Sequence, residues 1–439
     1  MNRSTVVSLL LTGMVISGCS LFGDDEKEPL VGERVSVLAL QKTLEPDQDA
    51  PFVASGLPRA VLNPDWPQAG GPPGVRIGNA ELATSIREAW RSGAGNGLTD
   101  THPRIPSPIV ADGRVYTMDA KLEVSAFAVD TGDRLWHVEL VTDESDADAM
   151  AGGLAFAGGR VFATTGYGDI VALDAATGVE IWRTSVVTPM HGPPTVAGGR
   201  VFAITIENNV IALNAETGTR AWPPFQSISE PAGLLGTASP AVAGDVIVVP
   251  FSSGEVVAMR ADSGRVLWTD TLGSTRRTDE LAFLSDIRAT PVIDGDQAYA
   301  TSFAGVIAAI DLFTGQRAWE REAGGLDSPW AAGSYLYFVT GHQELLCLLR
   351  ETGAIVWVTQ LPLFENEEDR EDPILWYGPI LAGSQLIVVS SDKRLIRASP
   401  ADGQVIETVE LPDPVSRSPV VAQGTLYLLT DDADLIAYR

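Results

Sequence analysis

The feature that most constrains this chain is a phrase it repeats. Asp169 to Trp182 read "DIVALDAATGVEIW", and forty residues on the chain reads "NVIALNAETGTRAW", ending at Trp222. Aligned on tryptophan, related 14-residue phrases end at Trp136, Trp268, Trp319 and Trp357, and a seventh, "RLIRASPADGQVIE", keeps the glycine but puts Glu407 in the tryptophan slot. Each phrase is a run of β-branched and apolar residues, a glycine turn, and a short segment ending on the aromatic residue, which reads as strand, turn, strand. Upstream of each lies a second apolar hairpin, as in "PPTVAGGRVFAITIENN". One unit is therefore four short strands in some 38 to 51 residues, and no helical period interrupts them.

Units of this kind bury their faces only against neighbours, so they stack, and four-stranded units at this period close into a ring. The expected fold is all-β: an eight-bladed β-propeller of four-stranded antiparallel blades. Seven blades are given by the phrases. The eighth starts at Pro419 and has three strands before Arg439, and its fourth is expected from "ELATSIREAW", ending at Trp90, which would close the ring. A tryptophan at one place in every blade is expected to be a packing peg between blades, its indole N–H finding a backbone acceptor. That reading covers Trp90, Trp136, Trp182, Trp222, Trp268, Trp319 and Trp357. Cys347, standing where other phrases have alanine, is expected to be a small buried filler.

Charge narrows the partners. Lys+Arg number 30 against 57 Asp+Glu, a net charge of -27, which repels phosphate backbones and argues against nucleic acid. The N-terminus reads as an address: Arg3, the apolar run "VVSLLLTGMVI", then Ile16-Ser17-Gly18-Cys19. These four residues resemble the lipobox of bacterial lipoproteins, which implies that residues 1–18 are a signal peptide and that Cys19 is lipidated. With Ser20 following, the implied home is the periplasmic face of the outer membrane. Residues 19–62, polar, acidic and proline-bearing, are expected to form a flexible tether, with the propeller spanning 63–439.

Signs of catalysis are sparse. His102, His137, His191 and His342 are scattered over different repeats without zinc spacing, and the acidic runs "DDADLIAYR" and "NEEDRED" do not match a calcium loop. The repeat also resembles those of quinoprotein alcohol dehydrogenases, a resemblance that implies pyrroloquinoline quinone, calcium and an adjacent-cysteine disulfide. The chain has two cysteines, Cys19 and Cys347, and they are not adjacent. No catalytic residue, cofactor or metal is therefore expected. A quinoprotein-like dehydrogenase and a periplasmic polysaccharide- or peptide-binding propeller are the rival readings.

The long connections after Trp136, Trp222, Trp268 and Trp357 fall on one face of such a propeller, where binding usually resides. One of them, "GSTRRTDELAFLSDIRATPVI", together with the repeats and the lipobox, resembles the outer-membrane protein assembly factor BamB family. That resemblance implies a scaffold that binds the POTRA domains of the central barrel-assembly subunit, BamA, and assists outer-membrane protein precursors. Carried over by position, the partner-binding residues would be Ala232, Leu234, Leu235 and Gly236 in one connection and Asp286 and Arg288 in the next. Leu235 stands where the family has arginine and Arg288 where it has aspartate, so the positive charge moves from one loop to the other.

Overall fold

The second and third strands of each repeat are apolar at successive positions because neighbouring blades cover both faces. Val201, Phe202, Ala203 and Ile204 are all buried in the strand Arg200–Ile204, as are the four central residues of Asp169–Asp174. Outer strands face solvent and are largely exposed, as in Glu180–Ser185. Inner strands are short, and six of the eight begin immediately after a proline: Pro108, Pro194, Pro240, Pro291, Pro329 and Pro419. Proline lacks an N–H to donate and is tolerated here because the inner strand is an edge of its sheet.

The computed structural model describes residues 44–71, 78–141, 149–228, 238–273, 286–303 and 305–439. Its strands pair into eight four-stranded antiparallel sheets, with one further two-stranded hairpin, Phe364–Asn366 with Glu371–Pro373. The blades span 109–139, 151–185, 195–226, 241–271, 292–321, 330–360 and 376–410, and the eighth combines 420–438 with the N-terminal strand Glu88–Gly93. That strand runs antiparallel to Asp434–Tyr438, with Arg91 opposite Ile436.

Each repeated tryptophan reaches into the following blade. Trp136 Nε1 donates to the carbonyl of Ala175 at 3.1 Å, Trp268 Nε1 to Leu312 at 2.8 Å and Trp319 Nε1 to Arg350 at 2.8 Å; Trp90, Trp182, Trp222 and Trp357 do the same toward Val129, Ala215, Ala261 and Pro400. The turn glycine of the next blade lies flat on the indole. A Cβ on Gly178 would sit 2.7 Å from the Trp136 ring, and one on Gly353 2.5 Å from the Trp319 ring. The glycine of the phrase thus serves two purposes, a left-handed backbone with φ of 75° at Gly178 and 68° at Gly353, and room for the neighbour's tryptophan.

This pairing explains Glu407. The blade after it is the eighth, whose third and fourth strands come from opposite ends of the chain, so it has no glycine turn to receive an indole. There Arg397, 3% exposed, holds Glu407 at 2.7 Å and donates to the carbonyl of Thr84, in the segment leading to Glu88–Gly93. An ion pair and a backbone contact replace the tryptophan peg at the seam.

Two details depart from the sequence expectation. In the third blade the phrase ends at Trp222, but after an isolated bridge at Arg220 the outer strand is interrupted and resumes at Phe225–Gln226, because Pro223 and Pro224 have no N–H to pair. Residues 44–62, expected as tether, are held on the blades instead. Asp47 and Ile355 exchange hydrogen bonds at 2.8 Å, Val53 makes two with the hydroxyl of Tyr335, and Gly56 accepts from Ser334 N–H. The segment continues as a strap across the face of the first hairpin turns. Asn63 reaches Val421 and Gln423, Trp66 exchanges two hydrogen bonds with Val110, Pro67 accepts from Phe156 N–H, and Gln68 accepts from Val196 N–H. Asn63, Trp66 and Gln68 are all buried by these contacts.

Candidate functional site

The inner strands surround a central cavity of about 830 Å³. At one end it is lined by strap residues, Trp66 and Gln68 to Gly71. At the other, four of the segments that lead into inner strands deliver a charged residue just before the proline: Arg104 ahead of Pro108, Arg288 ahead of Pro291, Asp327 ahead of Pro329 and Arg417 ahead of Pro419. Four side chains distant in sequence thus meet at one mouth because every blade enters its inner strand from the same side.

The electrostatics of the mouth follow from its burial. Arg104 Nη1 is buried with no hydrogen-bond partner. Burial, then the charges of Arg288 and Arg417, push the Arg104 guanidinium down to about 9, so it remains a cation at neutral pH. Arg417 is tied down: it donates to the carbonyls of Leu429 and Thr430 at 2.6 and 2.9 Å and to Asp431 at 2.6 Å, and burial lowers its pKa against the pull of Asp431. Asp327 Oδ2 accepts from Gly378 N–H at 2.7 Å and from the Ser418 hydroxyl at 3.0 Å. Burial raises its pKa, opposed by those two hydrogen bonds and by Arg288. Burial and the charge of Arg104 lower the pKa of His191, in the connection to the third blade.

Of the residues singled out from sequence, Cys19, Ala232, Leu234, Leu235 and Gly236 lie outside the described residues. Asp286 and Arg288 are described, and they part company. Asp286 is 3% exposed, with its carbonyl accepting from Phe303 N–H, and Ile287 between them is buried in the core of the fourth and fifth blades. Arg288 is half-buried and lines the cavity. Sequence reading missed Arg104, Asp327 and Arg417. The signal was present: "RIPSP", "DSP" and "RSP" each set a charged residue within three positions ahead of the Ser-Pro that opens an inner strand.

Sequence reading also missed an apolar patch on the face of the connections. Val187, Ile206 and Ile228 are 84%, 42% and 63% exposed. Their loops are joined, with Ile206 N–H donating to Pro189 at 3.0 Å and Asn208 Nδ2 to the carbonyl of Ile228 at 2.5 Å. Val187 has φ of 71°, a left-handed conformation unfavourable for a β-branched residue. On the same face the hairpin 364–373 exposes Glu365, Glu367, Glu368 and Asp369, so an acidic projection stands on the face whose central mouth is basic. Cys347 is buried, and burial raises its thiol pKa out of the reactive range.

The architecture defines an eight-bladed propeller of quinoprotein-like repeats whose blade connections build one elaborated face around a charged channel mouth. Residues 120–359 match the family model for outer membrane protein assembly factor BamB. BamB of Salmonella typhimurium is 31% identical over 354 residues, 79% of this chain and 87% of that protein. BamB of Xanthomonas campestris is 32% identical over 365 residues, covering 82% and 87%. This chain belongs to the BamB family of outer membrane protein assembly factors. Among solved structures it resembles BamB from Moraxella catarrhalis, with a TM-score of 0.68 and 18% identity over 81% of this chain and 100% of that one. It also resembles quinohemoprotein alcohol dehydrogenase from Comamonas testosteroni, with a TM-score of 0.63 and 15% identity over 86% of this chain and 81% of that one. At these identities the likeness speaks to the fold alone.

Proposed function

We propose that the protein is a non-catalytic scaffold of outer-membrane β-barrel assembly, anchored through a lipidated Cys19 at the periplasmic face of the outer membrane. In this reading it binds the POTRA region of a BamA-like subunit through its connection-bearing face and assists the insertion of outer-membrane proteins. The observation that carries it is family membership across most of the chain, 31% identity to an assembly factor over 79% of its length.

The chemistry of the face supports a protein partner. Ile228, exposed together with Val187 and Ile206, immediately precedes in sequence the residues Ala232, Leu234, Leu235 and Gly236. A compact apolar patch beside polar connections has the make-up of an interface whose few central anchors dominate affinity. Arg288 would supply the charge that orients the partner, and buried Asp286 would hold the loop that presents it. Exposed carboxylates on the 364–373 hairpin would steer encounter with a basic partner.

The test is affinity purification of the detergent-solubilised full chain with identification of co-purifying proteins, alongside Leu235→Glu/Arg288→Glu and Val187→Glu/Ile228→Glu. The expected result is recovery of the barrel-assembly subunit with the parent and at least about tenfold less with each folded double variant, the loss of about 1.4 kcal/mol of binding. Absence of that subunit from the parent sample would overturn the proposal.

A further inference from the structure

We infer that the central cavity is a binding site for a small organic anion with an apolar body, its oxyanion held by Arg104 and Arg288 and its body packed against Trp66 and Trp330. The inference is independent of the partner assignment and rests on the cavity itself.

The protein as a whole carries a net charge of -27, yet three guanidinium groups, of Arg104, Arg288 and Arg417, line one end of its central cavity. Acidic groups within reach account for Arg417, through Asp431, and leave Arg104 without a counter-charge. Asp431 is committed to Arg417 and to the backbone N–H and hydroxyl of Ser416, and Asp327 directs Oδ2 to Gly378 and Ser418. Arg104 makes no ion pair among the described residues, and its Nη1 is shielded from solvent without a partner. A half-buried cation with an unmet donor is destabilising, and a chain that retains one beside two like charges gains something else from it. An oxyanion in the cavity would offset the mutual repulsion of these guanidinium groups. Paired guanidinium groups are well matched to a carboxylate or phosphate.

The rest of the cavity selects what is attached to the anion. Trp66 and Trp330 stack with centroids 5.7 Å apart and planes 11° from parallel, and both line the cavity. Trp330 Nε1 is satisfied by the carbonyl of Gly78, leaving apolar surface to offer. Pro108, Pro329, Pro379 and Leu98 extend the apolar lining. A volume of about 830 Å³ lies in the range of small-molecule sites, about 300 to 1,000 Å³, and a recess with convergent polar groups and apolar walls suits a ligand better than a flat protein surface does.

The experiment is calorimetric titration of the full chain with three probes: 4-phenylbutyrate, its uncharged analogue 4-phenylbutanol, and acetate. 4-Phenylbutyrate is expected to saturate one site, with the alcohol and acetate each at least about tenfold weaker. Arg104→Gln and Arg288→Gln should each weaken 4-phenylbutyrate about tenfold or more, a loss of about 1.4 kcal/mol, with Arg104→Lys retaining part of the affinity. Thermal melting separates a ligand site from a structural one. Arg104→Gln should melt at or above the parent temperature without ligand and lose the upward shift that 4-phenylbutyrate gives the parent. No saturable binding by the parent, equal binding of the alcohol, affinity unchanged in both variants, or a lowered melting temperature for Arg104→Gln would each overturn the inference. Loss of partner recovery with anion binding intact would count against the scaffold reading alone.

Discussion

Asp327 concentrates at one residue the conflict that shapes the channel mouth. Burial raises its pKa, so the folded state holds the proton more tightly than the unfolded chain does. Its contribution to stability is therefore fully present below the ordinary aspartate pKa and is lost as pH rises through the raised folded value. Both hydrogen bonds arrive at Oδ2, and the carbonyl oxygen of an amide can accept both. Asp327→Asn is thus expected to be more stable than the parent at pH 7, by on the order of 1 kcal/mol. The difference should close as pH falls below the unfolded pKa, and denaturant unfolding at a series of pH values checks this. An unchanged difference at low pH would mean that carboxylate burial is not its source.

At the scale of elements, the strap is the piece that propensity could not reveal. Residues 44–71 carry no alternating apolar pattern, and they adhere through one or two hydrogen bonds at a time to several blades and through one large side chain. Trp66 is 4% exposed, joined to Val110 by two backbone hydrogen bonds and stacked on Trp330. Trp66→Ala should destabilise the protein by about 3 to 5 kcal/mol. It should also speed amide exchange at Val110, whose N–H donates to Trp66. Val61→Ala, at a side chain 53% exposed in the same segment, should change stability by less than about 0.5 kcal/mol. The blades themselves were legible because six of them repeat one arrangement of turn glycine and tryptophan and the seventh keeps the glycine. The strap and the arginines were not, since neither belongs to the repeat: Arg104, Arg288 and Arg417 come from connections of unequal length. Only closure of the ring sets them side by side. The third blade shows the same limit within a repeat, where Pro223 and Pro224 interrupt a ladder that the phrase alone positions at Trp222.

For the molecule as a whole, stability depends on a ring in which most joints have the same construction and one does not. Between the seventh and eighth blades, buried Arg397 bridges Glu407 and the carbonyl of Thr84. Arg397→Ala strands that carbonyl and is expected to cost about 1 to 3 kcal/mol. Native-state hydrogen exchange should show the loss first in Glu88–Gly93 and Asp434–Tyr438, ahead of the other blades. Uniform acceleration around the ring would mean that this joint is no weaker than the rest.

The strap also determines where a mechanical load would go. A pull on the chain ahead of Leu44 meets Ile355, Tyr335, Ser334, Val421 and Val110 in turn before it reaches the strand that completes the eighth blade. The force is spread as shear over successive blades, much as a cable clamp takes tension off the connector behind it. The noncovalent joint that holds the ring shut is thereby shielded from traction on the N-terminal end.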